Sequence, residues 1–222
     1  MLGELNADSL TLLNSKFPKV TSFWCLLEGV KSHIIDLSDL DTSGIKSMGN
    51  MFYDSMAKEL DLSNFNTSKV EDMSNMFSGC KLLKKLNISS FDTDNVEYMT
   101  RMFYECDSIQ CLDLSKFSTK KVVSFMSMFM ECSQLEELDL SNFELDSATD
   151  IRQMFMGCIS LKKLNISGFR VRSDIYTRKD NRTKNMFKGC DNLEEVVLPK
   201  DGYSRLVFTE QLKADGIYCK II

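Results

Sequence analysis

The sequence predicts an α/β repeat protein, a solenoid of about eight coils with one short parallel strand per coil and helical or 3₁₀ returns. Three observations predict it. First, MFSGCKLLKKLNISSF (76–91), MFYECDSIQCLDLSKF (102–117), MFMECSQLEELDLSNF (128–143) and MFMGCISLKKLNISGF (154–169) repeat one pattern. Second, the anchor residues Ile35, Leu60, Leu86, Leu112, Leu138 and Leu164 stand 25, 26, 26, 26 and 26 residues apart. Self-similarity at a fixed period of this size marks stacked units, none of which can bury its apolar face alone. Third, the apolar spacing inside each unit switches from two to three and four, so each unit holds a strand and a helical segment.

The elements follow in order. Residues 1–9 form an N-terminal stub whose apolar residues are Leu2 and Leu5. Coils start at 10, 35, 60, 86, 112, 138, 164 and 196, so the solenoid runs over 10–199. The first is degenerate, with Phe17, Val20, Phe23, Leu26 and Leu27 on apolar positions. In the coil from Leu60, Leu60 and Leu62 lie two apart and point inward from a short strand, with Asp61 and Ser63 outward. Asn66 and Thr67 supply turn chemistry, able to hydrogen-bond nearby backbone. Val70, Met73, Met76 and Phe77 then recur at three- and four-residue spacing, which reads as a short helix or 3₁₀ segment. Strands stacked about 4.8 Å apart make eight coils a rod roughly 38 Å long. The last coil starts at VVLP (196–199), after a Leu164 unit six residues longer than its neighbours. Residues 200–222 read as a C-terminal cap: Thr209 as N-cap, a short helix to Asp215, Gly216 just past its end, then an apolar strand.

Two phenylalanine files run through the repeat, one of Phe65, Phe91, Phe117, Phe143 and Phe169, the other of Phe52, Phe77, Phe103, Phe129, Phe155 and Phe187. They read as stacked core. Cys80, Cys106, Cys132, Cys158 and Cys190 hold one interior position, taken by Ser55 in an earlier coil. A zinc site needs ligand pairs such as C-x₂-C, and the sequence offers none and a single histidine, His33. Stacking brings neighbouring cysteines within disulfide range, but parallel side chains point past one another. The column reads as small apolar filler, and its free thiols suit a reducing compartment. Cys25, Cys111 and Cys219 fall outside it and take no role.

Composition narrows function. Twenty-seven Lys and Arg against 32 Asp and Glu give a net charge of −5, which argues against nucleic-acid binding. No run of eighteen apolar residues marks a membrane span. One histidine in a degenerate coil makes a Ser-His-Asp or Cys-His site improbable, no phosphate loop is present, and no cofactor is expected. The outward strand column Asp36, Asp61, Asn87, Asp113, Asp139, Asn165 either attracts a cation or basic partner or forms a solvated face, and the solvated face is favoured. FRVRSDIYTRKDNRTKNMF (169–187) carries the six-residue insertion and a basic set: Arg170, Arg172, Tyr176, Arg178, Lys179, Arg182 and Lys184. Solenoid insertions map to loops on one face, so this segment is either a contact for an acidic protein, a sulfated glycan or a phosphate, or a solvated loop.

The recurring LDLSNFNTSKVEDMSNMFSGC resembles the BspA-like family of leucine-rich repeat surface proteins, in the branch with 26-residue units, over residues 35 to about 195. The resemblance implies a leucine-rich-repeat-like, right-handed solenoid and display at a microbial cell surface, with adhesive or partner-binding roles. The expected function is thus a non-enzymatic binding scaffold, a surface or secreted adhesion module with a protein or glycan partner. An intracellular protein-interaction role is the alternative, cytoplasmic if Met1 is the native start, since MLGELNADSL lacks a secretory signal. A carbohydrate-active enzyme on a parallel β-helix ranks below both. A monomer is expected. The thinly covered first coil leaves open folding-over of the stub, a longer chain that continues the stack, or an end-to-end dimer.

Overall fold

The computed structural model describes residues 8–12, 19–173, 175 and 181–222. The chain winds as a parallel β-solenoid. Strands β1 (Ser9–Thr11), β2 (Ile34–Asp36), β3 (Glu59–Asp61) and β4 (Lys85–Asn87) form one four-stranded sheet. Strands β5 (Glu137–Asp139), β6 (Lys163–Asn165), β7 (Glu195–Val197) and β8 (Lys220–Ile221) form a second. Pairing keeps the sequence register: Leu10 faces Ile35, Leu60 faces Leu86, Leu138 faces Leu164, and Leu164 faces Val196. Leu60 and Leu62 are buried while Asp61 and Ser63 are exposed, as a two-residue period requires.

The strand expected in the coil from Leu112 is missing. Cys111 to Leu114 pair with neither β4 nor β5, and Leu112 is only half-buried. Cys111 stands where the neighbouring coils place Glu59, Lys85, Glu137 and Lys163. The ion pairs Lys85–Glu59 and Lys163–Glu137, both 2.8 Å, stop on either side of it. Exposed pairs are worth about 0–1 kcal/mol, so they mark the interruption rather than cause it.

The returns also differ from expectation. They are chains of turns, and the one α-helix among the described residues lies in the C-terminal cap. The backbone explains why. In the coil from Leu60, the N–H groups of Met73, Asn75, Phe77 and Gly79 donate to the carbonyls of Tyr98, Thr100, Met102 and Tyr104 in the next coil. The amides between them close tight turns instead: Met76 donates to Met73, Ser78 to Asn75, and Cys80 to Phe77. A helix would turn every amide back on its own chain. Reversal every few residues needs left-handed backbone, found at Asn75 (φ 54°) and Gly79 (φ 74°). Asn and Gly tolerate that region best. The three-and-four apolar spacing is real, but it comes from paired turns.

The interior is continuous. Phe52, Phe77, Phe103, Phe129, Phe155 and Phe187 stack ring on ring at 5.5–5.9 Å, with interplanar angles of 5–14°. Phe65, Phe91, Phe117 and Phe143 stack at 6.4–6.5 Å. Val20 departs from its expected place and is exposed. Phe17 lies outside the described residues.

The C-terminal end is closed on its return side by α1 (Gly202–Ala214). Its N-cap is Asp201, whose side chain accepts the Ser204 N–H at 2.9 Å, so the helix starts earlier than Thr209. Thr209 sits mid-helix with its hydroxyl donating to the Arg205 carbonyl at 2.8 Å. Gly216 follows the helix with φ +79°, as expected of a residue past a helix end. Phe208 meets Phe169 edge-on at 5.8 Å, ending that file. The Asp215 carboxylate accepts the Phe187 N–H at 2.8 Å, in place of the carbonyl a further coil would offer. Burial pushes the Asp215 carboxyl up from its ordinary pKa, and the Phe187 bond pulls it back in part.

Candidate functional site

Five thiols line the inside of the bend after each return. Cys80, Cys106, Cys132, Cys158 and Cys190 are fully buried. Each Sγ–H donates to the carbonyl of the stacked phenylalanine one coil earlier, at 3.0–3.1 Å: Phe52, Phe77, Phe103, Phe129 and Phe155 in turn. Desolvation pushes Cys80, Cys132 and Cys190 up to about 12, and Cys106 and Cys158 well above the ordinary thiol value. A nucleophile needs the opposite shift. All eight cysteines are free. The column is therefore more than filler: it carries a ladder of S–H donors.

The outward acidic stripe is committed locally. Asp36, Asp61, Asp113 and Asp139 each accept, through Oδ1, the N–H of the serine two residues on, at 2.8–3.0 Å; Asn87 and Asn165 do the same at 3.1–3.2 Å. Bonds from Ser38 hold Asp36 below the usual carboxylate pKa, and bonds from Ser63 do so for Asp61. Burial pushes Asp139 up, but the Ser141 bonds outweigh it. The stripe shapes turns, and among the described residues no group of acids, His and Cys is arranged to hold a metal ion.

The basic segment divides. Arg170 and Arg172 are exposed on either side of buried Val171, whose N–H donates to Ser204 Oγ of α1 at 3.0 Å. Arg182 and Lys184 belong to the return itself, since their carbonyls accept the N–H groups of Ile151 and Gln153. Arg182 is half-buried and its guanidinium donates to the Thr149 carbonyl at 3.1 Å, a structural commitment. Lys184 is exposed. Tyr176, Arg178 and Lys179 lie outside the described residues. The described members thus occupy two separate stretches of the coil.

The return face was not legible as a site in the sequence. Single parallel bridges join Ser22, Ser47, Asp72, Tyr98, Ser124 and Asp150 in consecutive coils, unbroken across the gap in the strand ladder. Two residues further on in each coil come Trp24, Gly49, Ser74, Thr100, Met126 and Arg152. Trp24 is 50% exposed and Tyr98 45%. Reading these columns needs the outer residues of a segment whose apolar spacing reads as a short helix or 3₁₀ segment. The signal available was the period itself, applied to positions that do not repeat in kind.

A protein-family model described as "Mycoplasma protein of unknown function, DUF285" matches residues 11–113 and again 83–198, so that the two matches together cover most of the solenoid. The chain belongs to this family. The two DUF285 matches overlap at 83–113, as a model several coils long does when laid on a repeat. No curated protein sequence matches the chain. Among solved structures, a leucine-rich repeat protein from Bacteroides ovatus is similar at 17% identity, over 88% of this chain and 64% of that one, with a TM-score of 0.33. The chain thus spans less than two thirds of that protein's length.

Proposed function

We propose that the protein is a non-enzymatic binding scaffold that presents its outer columns to a macromolecular partner. The observation that supports this is the division of labour in each coil. The recurring Phe, Met and Cys positions are consumed by the stack, and the five column thiols are held as donors with raised pKa values. Variation between coils is concentrated on the return face: Trp24, Gly49, Ser74, Thr100, Met126 and Arg152 share one place in the coil and no two are the same residue. A surface that changes side chain every coil over an unchanging frame suits recognition. The resemblance to BspA-like leucine-rich repeat surface proteins, 26-residue units included, supports display at a microbial cell surface or secretion, with an adhesive role. The eight free thiols favour a second reading, an interaction protein kept in a reducing compartment.

The basic segment is the contact proposed for an acidic partner. Capture from host-cell and own-cell lysates should retain a partner. Replacing Arg170, Arg178, Lys179 and Lys184 by Ser should weaken that capture and flatten its salt dependence. Arg182 is left in place because its guanidinium serves the Thr149 carbonyl. Unchanged affinity in the quadruple variant would remove the segment from the site. Turnover of a glycan substrate by the purified chain would overturn the scaffold reading itself.

A further inference from the structure

We propose that the return face of the first four coils binds a neutral oligosaccharide between Trp24 and Tyr98, an inference that rests on the scaffold reading above and names a ligand class and a place for it. The bridges Ser22–Ser47, Ser47–Asp72 and Asp72–Tyr98 put three coil steps between the two aromatic residues. At about 4.8 Å per step this is roughly 14 Å of backbone along the stack. The indole lies over Gly49 and covers the first step, which leaves room for about two hexose rings laid end to end.

The Trp24 seat is built. A Cβ on Gly49 would lie 2.3 Å from Cζ3 and 2.5 Å from Cε3 of the indole, and 3.2 Å from Asp72 Oδ2. Gly49 is absent from the residues with positive φ, so its backbone does not require glycine; the indole does. The ring therefore rests on bare backbone with half its surface open to solvent. A rigid aromatic surface offers large contact area at little entropic cost.

Between the two aromatic residues the floor is small and polar. Ser47, Ser74 and Asp72 are half-buried, and Gly49 is buried. Asp72 accepts the Ser74 N–H through Oδ1 at 2.9 Å, with Oδ2 on the indole side. Beside the floor, Lys46 and Glu71 neutralise each other at 2.9 Å. Each feature selects against a competitor. An anionic polymer would meet the Asp72 carboxylate on the floor and find the Lys46 charge beside it already paired with Glu71. A protein partner favours an apolar patch with a desolvated centre, whereas here apolar groups stand at the ends and hydroxyls and a carboxylate in the middle. Sugar rings present apolar C–H faces to aromatic rings and hydroxyls to small polar groups, which is the alternation on this face.

Trp24 is the only tryptophan, so intrinsic fluorescence reads the site directly. The full chain is titrated with chitotetraose, cellotetraose, maltotetraose and mannotetraose, and screened on an array of neutral glycans. A saturable change in emission with at least one oligosaccharide, together with protection of Trp24 from acrylamide quenching, is expected. Tyr98→Ala should weaken that binding at least tenfold while the emission signal remains. Gly49→Ala, which unseats the indole, should do the same, with circular dichroism unchanged. Lys200→Ser, at an exposed position in the C-terminal cap, should leave it unaffected. No neutral glycan binding in solution or on the array overturns the proposal, even if a lysate partner is captured; that capture would leave the scaffold reading standing. Glycan binding at full strength in both Tyr98→Ala and Gly49→Ala also overturns it, by moving the ligand to another face.

Discussion

Cys132 shows what one position in a stack is asked to do. Its thiol is buried between coils and donates to the Phe103 carbonyl at 3.0 Å, while that same carbonyl accepts the Cys106 N–H at 3.3 Å. Cysteine is small enough for the bend and still offers a weak donor to a carbonyl with a second lone pair. The sequence showed the column and its burial, because the position recurs with the period. It could not show the donor role, because the acceptor belongs to a phenylalanine almost thirty residues away. Native protein treated with a thiol reagent at pH 8 should react first at exposed Cys111, and more slowly at half-buried Cys25 and Cys219, where burial raises both thiols. The five column thiols, with Cys80, Cys132 and Cys190 raised to about 12 and Cys106 and Cys158 well above the ordinary thiol value, should react only on unfolding, for a total of eight. Rapid native reaction at the column would contradict the packing. Cys132→Ser should lower stability in urea by about 1–3 kcal/mol, because the shorter, more polar hydroxyl is buried with a poorer reach to its acceptor.

At the scale of the element, the turn after each strand is tied to its neighbour by threonine. Thr67 donates to the Asp92 carbonyl and accepts the Asp92 N–H, both at 2.8 Å; Thr93 does the same with Ser118, and Thr119 with Glu144. Both functions of one hydroxyl serve one residue of the next coil. Turn chemistry at Asn66 and Thr67 was legible, but the partner lies in the adjacent coil as well as nearby: Asn66 accepts the Ser68 N–H at 3.1 Å, whereas Thr67 reaches across. The returns depart from the helical or 3₁₀ expectation for a related reason. Met73, Met76 and Phe77 have helical spacing, and only Asn75 and Gly79, sitting where left-handed backbone is required, hint that the chain reverses. Thr93→Val keeps the shape and removes the hydroxyl, leaving the Ser118 N–H and carbonyl without that partner. A loss of about 1–3 kcal/mol in urea unfolding, with unchanged circular dichroism, is the expected outcome. A neutral result would mean water replaces the hydroxyl at no cost.

For the whole molecule, the period fixed the stacking order and the inward residues, so the succession of coils was readable from Ile35 to Leu164. The interruption at Leu112 was not, because CLDLS conforms to the pattern as well as any coil does. In three dimensions it divides one edge of the solenoid into two four-stranded sheets, while the other edge stays continuous: Arg101, Phe103 and Glu105 donate to Met126, Met128 and Met130 at 2.9–3.0 Å. In a stack, stability is a sum of neighbour interfaces, so a weakened seam on one side is felt locally rather than shared across the chain. The amides of residues 111–114 should therefore exchange with solvent deuterium faster than those of β4 and β5 on either side. They should also exchange faster than the amides of Arg101, Phe103 and Glu105 on the opposite edge of the same seam. Uniform protection along both edges would show that the coil from Leu112 is bonded to its neighbours in solution. Restoring the charge column tests the cause as well as the effect. Cys111→Glu would place a carboxylate between Lys85 and Glu137, and at about 0–1 kcal/mol for an exposed pair, set against repulsion from Glu137, the gain is too small to re-form a strand. Exchange at 111–114 should stay fast in that variant, and a protected seam would show that the missing charge, rather than the backbone path, opened it.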